Sequence, residues 1–566
     1  MLQKHGDTNM PTATQVLDFD YVIVGAGSAG CVMANRLSAD PAVRVCLVEG
    51  GGDDRSARIQ VPAGTITLYK SPKYSYNFES APQTRLNGRR LHCPRGKMLG
   101  GSSSMNSMIY IRGMPADYDR WAELGCEGWS YADVLPFFRR SERNLLGHDT
   151  RVHGESGELC VDQPRDPNPL SHRFIDAAKR IGLPHNTDFN SGDAFGAGIY
   201  DVTQKDAHRL SSYRAFVHPV LSRPNLTLFT DTRALSLDIA DQTARGVFVE
   251  REGQVVLLRA HREVVLSAGA IGSPHLLMVS GIGDEAQLRA AGIALRHHLP
   301  GVGRNLQDHL DGLVTVRSSS AQTLGFSRRS LPSVLGAPGA YWLKKKGWLT
   351  TNYVEAGGFA RTRYAGDGDP DVQFHFVPGY RSHRGRLFEF GHGYAIHTCV
   401  LRPKSIGRIL LTDDGQRAPL IDYNFLEREE DARVLIEGIK LARAILAGPE
   451  FEAIRGKEML PGAQVQSDDA LFDYVRAYAA TVFHPSGTCK MGVDDASVVD
   501  PRLRVRGLRG LRVADASIMP LLVSGNTNAP SIMIGEKAAQ MMLEDAAQTH
   551  SNRATKHETN RATLAA

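Results

Sequence analysis

The chain has 566 residues, too many for one average domain, and is expected to form two or three. Hydrophobic residues make up 42% and charged residues 22%, the balance of a globular protein able to bury large cores. A net charge of +5 is small at this length, and without a basic stripe interleaved with aromatics it gives no footing for a nucleic-acid partner.

Seven cysteines, none in a C-x-x-C pair, argue against a disulfide framework and for a reducing, cytoplasmic compartment. Residues 1–17 are polar and read as a disordered lead-in with no signal peptide. No apolar run approaches the roughly 18 residues of a spanning helix, which leaves a peripheral attachment to the inner membrane open.

The first structured unit is expected over residues 18–50. Tyr21 to Val24 reads as a buried strand, and Gly25, Gly27 and Gly30 follow as G-x-G-x-x-G with Ser28 inside the turn. Cys31 to Leu37 carries apolar residues at helical spacing. Gly25 allows the tight turn, Gly27 lets backbone approach a pyrophosphate, and Gly30 lets the helix pack close to the strand. The helix N-terminus then offers free N–H groups to phosphate. A second strand, Arg44 to Val48, ends at Glu49, about 20 residues past the glycines, where an acid would accept from a ribose hydroxyl. Gly50 opens a loop beside that site. Strand, turn, helix and acid together predict a dinucleotide site but leave its identity, NAD or FAD, undecided.

Further along, Pro94 to Asn106 is a Gly/Ser-rich loop holding Met98, Leu99 and Met105, expected to lie against a ligand. Residues 115–145 and 171–183 read as helical. Residues 226–229, 244–249 and 263–266 read as strands, the last running into a second glycine turn and helix start at Gly269. Residues 320–350, rich in Ser, Gly, Pro and Lys, read as an insertion, with Lys344 to Lys346 on a solvated face and a membrane-surface contact as the alternative. Val372, Phe374 and Phe376, then Tyr394, Ile396, Thr398 and Val400, alternate as in an antiparallel sheet of a different domain. A strong amphipathic helix is predicted over 429–448 and a final helix from Ser531, with 546–566 disordered.

Several separate motifs, in order, resemble the glucose-methanol-choline family of FAD-dependent oxidoreductases. They are Gly25 to Gly30 with Glu49, Gly96 to Asn106, Gly269 to Gly283, Val302 to His309, His484 to Thr488, Asp515 to Pro520, and Asn526 to Asn528. The resemblance covers about residues 18–545, and is greatest to bacterial membrane-associated dehydrogenases of aliphatic primary alcohols, followed by choline dehydrogenases. It implies an α/β fold whose Rossmann-like FAD-binding domain comprises 18–165, 212–316 and 482–545. A discontinuous α+β substrate domain, built on an antiparallel sheet, would comprise 166–211 and 317–481. Gly100, Ser103, Asn106 and Met108 would line the flavin, Ala234 the adenine, Asp515 and Ala516 the phosphates and ribityl chain, and Asn528 the flavin ring. Some relatives attach FAD to a histidine in the Gly-Gly-Ser loop. Here Met105 takes that place, and a thioether does not form the bond, so dissociable FAD is expected.

Within the resemblance His484 is the expected base. Removing hydride from an alcohol carbon requires the hydroxyl to lose its proton at about the same time, and histidine has the pKa for that task. Asn526 is expected to hold the substrate oxygen, with Asn528 as its rival. His309 is expected to be structural, and Glu355 either pocket-facing or exposed. No H-E-x-x-H, C-x-x-C or H-x-H cluster supports a metal, and the Ser486-Gly487 step makes no nucleophile elbow. The expected reaction is oxidation of a primary alcohol to its aldehyde, with electrons passed to a quinone or other acceptor. Choline oxidation, an oxygen-using oxidase and a flavin-fold lyase remain as alternatives.

Overall fold

The computed structural model describes residues 12–366, 368–380 and 390–564. Residues 1–11 of the expected lead-in lie outside them, whereas residues 15–17 already belong to the first strand, Gln15–Val24.

That strand is central to a seven-stranded sheet. It pairs in parallel with Val45–Val48 on one side and Gln254–Leu266 on the other, so Val24 sits level with both Val48 and Leu266. Leu226–Phe229 extends the sheet beyond Val45–Val48, and Leu511–Val513 joins Gln254–Leu266 in parallel. Arg233–Ala240, Thr243–Arg251 and Gln254–Leu266 form an antiparallel run at the other edge. Val22, Ile23, Leu47, Val264 and Val265 are fully buried. Each contributes roughly 1.5–3 kcal/mol by leaving water, so the short apolar runs suffice to fix the register. Helix Ser28–Leu37 lies on this sheet and against the final helix, where a Cβ on Gly535 would come within 2.7 Å of the Ala29 carbonyl oxygen.

The second large sheet is antiparallel throughout. Its order is Arg455–Leu460, Leu310–Ser318, Gly393–Val400, Val372–Val377, Ala356–Ala360 and Gly196–Ile199, with Ala480–Thr481 also on Leu310–Ser318. Leu310–Ser318 therefore belongs here, and the expected boundary at residue 316 falls inside it. Helices Pro169–Arg180 and Glu429–Leu446 cover one face, where Phe174 stacks on Phe376 at 5.0 Å and Gly438 lets Thr398 approach. The apolar alternation at 372, 374 and 376 is thus the helix-facing side. Its intervening residues, Gln373, His375 and Val377, are equally buried and face inward.

Three sequence expectations change. The 320–350 segment contains a helix, Leu331–Lys344. The final helix begins at Asn528 and runs to Leu564, so 546–564 is helical rather than disordered. The predicted helical stretch 115–145 is two helices, Pro115–Glu123 and Tyr131–Ser141, bracketing buried Trp129. All seven cysteines are free and buried.

Candidate active site

A cavity of about 1000 Å³ runs from the first glycine turn to the inward face of the antiparallel sheet. Its parallel-sheet end is built of close backbone approaches. Gly25 has φ +108°, and a Cβ there would strike the Ser267 carbonyl. A Cβ on Gly30 would strike the Gly25 carbonyl, so Gly30 packs helix to strand one layer behind the lining. Gly101, at φ +52°, comes so close that its Cβ would lie 2.9 Å from the Gly27 Cα. No side chain caps the N-terminus of helix Ser28–Leu37, and Gly25, Gly27 and Ser28 line the cavity. Those uncapped amides and the positive end of the helix suit a pyrophosphate.

Glu49 closes the next strand. It accepts from the amides of Ala26 at 3.1 Å and Gly51 at 2.9 Å, and burial pushes its carboxyl up to about 7. Gly50, Ala234 and Ala516 line the same end. Asp515 also lines it and accepts from Ser273 Oγ at 2.5 Å and from the amides of Gly269 and Ser517 at 2.8 Å each. Ser28 Oγ donates to Asn528 Oδ1 at 2.8 Å, tying the turn to the last helix. Asn106 and Met108 line the middle of the cavity with Met105. Gly100 and Ser103 do not. Gly100 donates its amide to Ala26, and Ser103 bridges the Gly100 carbonyl and the Ser212 amide, so both support the lining loop from behind. Gly101 and Ser102 hold the lining positions instead.

At the other end His484 and Asn526 meet, with Nδ2 of Asn526 3.3 Å from Nε2 of His484. Asn528 stays with Ser28, so the asparagine beside the imidazole is 526. Two devices aim His484. Its amide donates to Asp308 at 2.9 Å, and Phe483 before it is held at φ +71°, a backbone state that costs of order 1 kcal/mol, with Pro485 after it.

His309 is more than a scaffold. Its Nε2 lies 3.1 Å from the Leu401 carbonyl and its Nδ1 lies 2.9 Å from Nδ1 of His484. A carbonyl only accepts, so His309 carries its proton on Nε2 and presents a lone pair at Nδ1. His484 must then donate from Nδ1, which leaves the lone pair of its Nε2 facing Asn526 and the cavity. Gln373 Nε2 donates to Asn526 Oδ1 at 3.2 Å, which turns the amide N–H₂ of Asn526 toward that lone pair. Burial holds all three nearby imidazoles neutral. It lowers His484 well below the ordinary histidine value, aided by neighbouring His309 and His375, beside which a second protonated ring would be repelled, and lowers His309 to about 4 and His375 to about 3. Sequence reasoning passed over Gln373 and His375. The signal was present, as polar residues inside a strand otherwise wholly apolar.

Around this pair the lining is mostly apolar and aromatic, including Leu313, Leu324, Phe326, Trp348, Val354 and Val377. Asp311 is held by His397 Nδ1 at 2.8 Å. Glu355 neither faces the cavity nor is exposed. It is buried and accepts from the Asn168 amide, Ser171 Oγ and Thr351 Oγ1. Away from the cavity, His148, His153 and Asp188 form a cluster with metal-ligand chemistry, but both ring nitrogens of His153 are already bound to carboxylates, Glu142 at 2.9 Å and Asp188 at 3.0 Å. Among the described residues no helix is long and apolar enough to cross a membrane.

Models of the GMC oxidoreductase N- and C-terminal regions match residues 19–311 and 403–535. The chain is 47% identical over 528 residues to an alcohol dehydrogenase [acceptor] of Pseudomonas putida, covering 93% of this chain and 96% of that protein. It is 42% identical over 543 residues to an oxygen-dependent choline dehydrogenase of Photobacterium profundum, covering 95% of each. Among solved structures, pyridoxine 4-oxidase from Mesorbium loti superposes with a TM-score of 0.83 at 30% identity, over 92% of this chain and 98% of that one. A formate oxidase superposes with a TM-score of 0.86 at 27% identity, over 94% and 99%. Matching models, long alignments and a two-ended cavity agree, and the chain belongs to the GMC oxidoreductase family.

Proposed function

We propose that this protein oxidises a primary alcohol to its aldehyde with FAD and passes the electrons to a quinone-type acceptor, working in the cytoplasm at the inner face of the membrane. The observation that carries the reading is the lone pair on Nε2 of His484, fixed toward Asn526 and the cavity by the chain His484–His309–Leu401. FAD, when bound, supplies the two-electron acceptor. The residues present suit it: the uncapped helix end for pyrophosphate, Glu49 for a ribose hydroxyl, and Asn106 and Met108 in the middle of the cavity. Met105 has no nitrogen to bond to the ring, which favours dissociable FAD. Acid precipitation should therefore release the yellow colour into the supernatant.

The protein's own part is to take the proton. A substrate hydroxyl at the mouth of the pair would donate to Nε2 of His484 while accepting from Nδ2 of Asn526. The oxygen is thereby held as charge develops on it. Because His484 is neutral over the working range, the base is always ready. The relative named alcohol dehydrogenase [acceptor] supports the substrate class and an acceptor. Choline finds weaker support, since Asp311, the carboxylate at this end of the cavity, is already engaged by His397.

The deciding experiment is the anaerobic visible spectrum before and after adding a medium-chain primary alcohol, with choline in parallel. Bleaching by the alcohol supports the reading, and bleaching by choline alone moves it to that substrate. Bound flavin that stays oxidised with both removes it in favour of a lyase. Peroxide formed in air would replace the quinone acceptor with oxygen.

A further inference from the structure

Helix Leu331–Lys344 inverts the usual rule for a surface helix. Its inner face is fastened by buried Ala337 and Tyr341, the latter donating its hydroxyl to the Ala207 carbonyl at 3.0 Å. Leu331, Leu335, Pro338 and Trp342, spaced to share one helical face, point outward. Leu331 is 52% exposed, Leu335 73%, Trp342 58% and neighbouring Leu343 85%. From Leu331 to Leu343 there is no charged residue. By contrast, helix Glu429–Leu446 shows solvent its Glu429, Arg433 and other charged groups in the ordinary way.

The charges of the segment sit at its ends and have one sign. Arg328 and Arg329 precede the helix and Lys344, Lys345 and Lys346 close it, with no acid between Phe326 and Trp348. Lys345 lies 5.3 Å from the Trp342 ring centre. The flanks of the helix return to the cavity, where Phe326 and Trp348, rings 6.2 Å apart and both half-buried, form part of its lining.

We propose that this helix docks the protein on an anionic bilayer surface, with Leu331, Leu335, Trp342 and Leu343 entering the acyl boundary and the flanking cations on the lipid phosphates. An uncharged apolar face with aromatic and cationic flanks is the make-up of an interfacial helix. A second copy of this chain fits poorly, because a two-fold contact would set five cations against five. The proposal deepens the reading of a membrane-dissolved acceptor, and places the cavity rim at the lipid, where a water-poor alcohol and a quinone both concentrate.

The test is sedimentation of the holoenzyme with phosphatidylglycerol-rich vesicles and, in parallel, with phosphatidylcholine vesicles. Binding is expected to the anionic vesicles, weakened by salt, and lost at least about tenfold in Leu335→Asp/Leu343→Asp. Lys344→Glu/Lys346→Glu should weaken it about fivefold per charge removed. Both variants should keep wild-type turnover with a soluble dye acceptor, which shows that they fold. Wild-type protein left in the supernatant with anionic vesicles overturns the proposal. So does equal binding by the Leu335→Asp/Leu343→Asp variant, or light scattering that shows a dimer which this variant splits. Vesicle binding is read without substrate, so flavin that fails to bleach with alcohol would sink the proposed reaction and leave the docking intact.

Discussion

Two buried histidines, His484 and His153, are held in opposite charge states. His153 is 1% exposed and lies between Glu142 and Asp188, with Arg112 beside it, 2.5 Å from Glu142 and 3.4 Å from Nδ1 of His153. Burial alone would lower it, but the two carboxylates outweigh that and push it up to about 9. His484 is also buried, yet among the described residues its ring hydrogen-bonds only with His309 and Asn526, and it stays neutral. Burial drives an imidazole toward neutrality, and a carboxylate within hydrogen-bond reach reverses the outcome. One arrangement makes a brace and the other a base.

The strongest break is His484→Ala. It should retain FAD and lose about 10³-fold in flavin reduction rate, measured by anaerobic stopped flow. Wild-type turnover in that variant would remove His484 as base. His309→Ala comes next, with a loss of about 30-fold, since it frees the tautomer without removing the base. Its diagnostic is the pH profile. In the wild type the acid limb should lie well under pH 6.5, because only protonation of His484 abolishes the base and its pKa is depressed. The variant's acid limb should move upward as one imidazole leaves the cluster. Asn526→Ala should cost about tenfold in the same rate, whereas Asn528→Ala should weaken FAD retention and spare the rate. A larger rate loss at 528 would exchange their roles.

The smallest effect tests the brace. A histidine whose folded pKa is raised stabilises fully below the unfolded value of 6.5 and loses that contribution as pH rises through about 9. His153→Gln should lower stability by about 2 kcal/mol at pH 6, and the gap to wild type should close by pH 10. A gap that stays constant with pH would mean that His153 acts by packing alone.

The glycine turn and Glu49 were legible in the sequence because their geometry is local: strand, turn, helix and acid lie within one short stretch. His484 and Asn526 were legible only through their motifs, since nothing nearby in the chain predicts that they meet. Gln373 and His375 escaped because attention followed the apolar residues of their strand, which face the covering helices. The inward set carries the chemistry. Helix Leu331–Lys344 escaped for two reasons. Gly336, Pro338 and Gly339 break its pattern, and its apolar stripe faces solvent, so periodicity pointed to no core. Glu355 shows the limit of composition, since only the fold reveals the three donors that bury it.

The hydrogen bond from Ser28 to Asn528 spans 500 residues. At about 5–20 residues per second a ribosome needs roughly 25–100 s to deliver the second partner after the first. Leu511–Val513, His484 and Asn526 also arrive in that last stretch. The amino-terminal half of the nucleotide groove must therefore wait, partly built, until these distant partners have been translated. Flavin capture then waits on those segments, and a chain stopped before residue 511 should emerge colourless however well its earlier strands have paired.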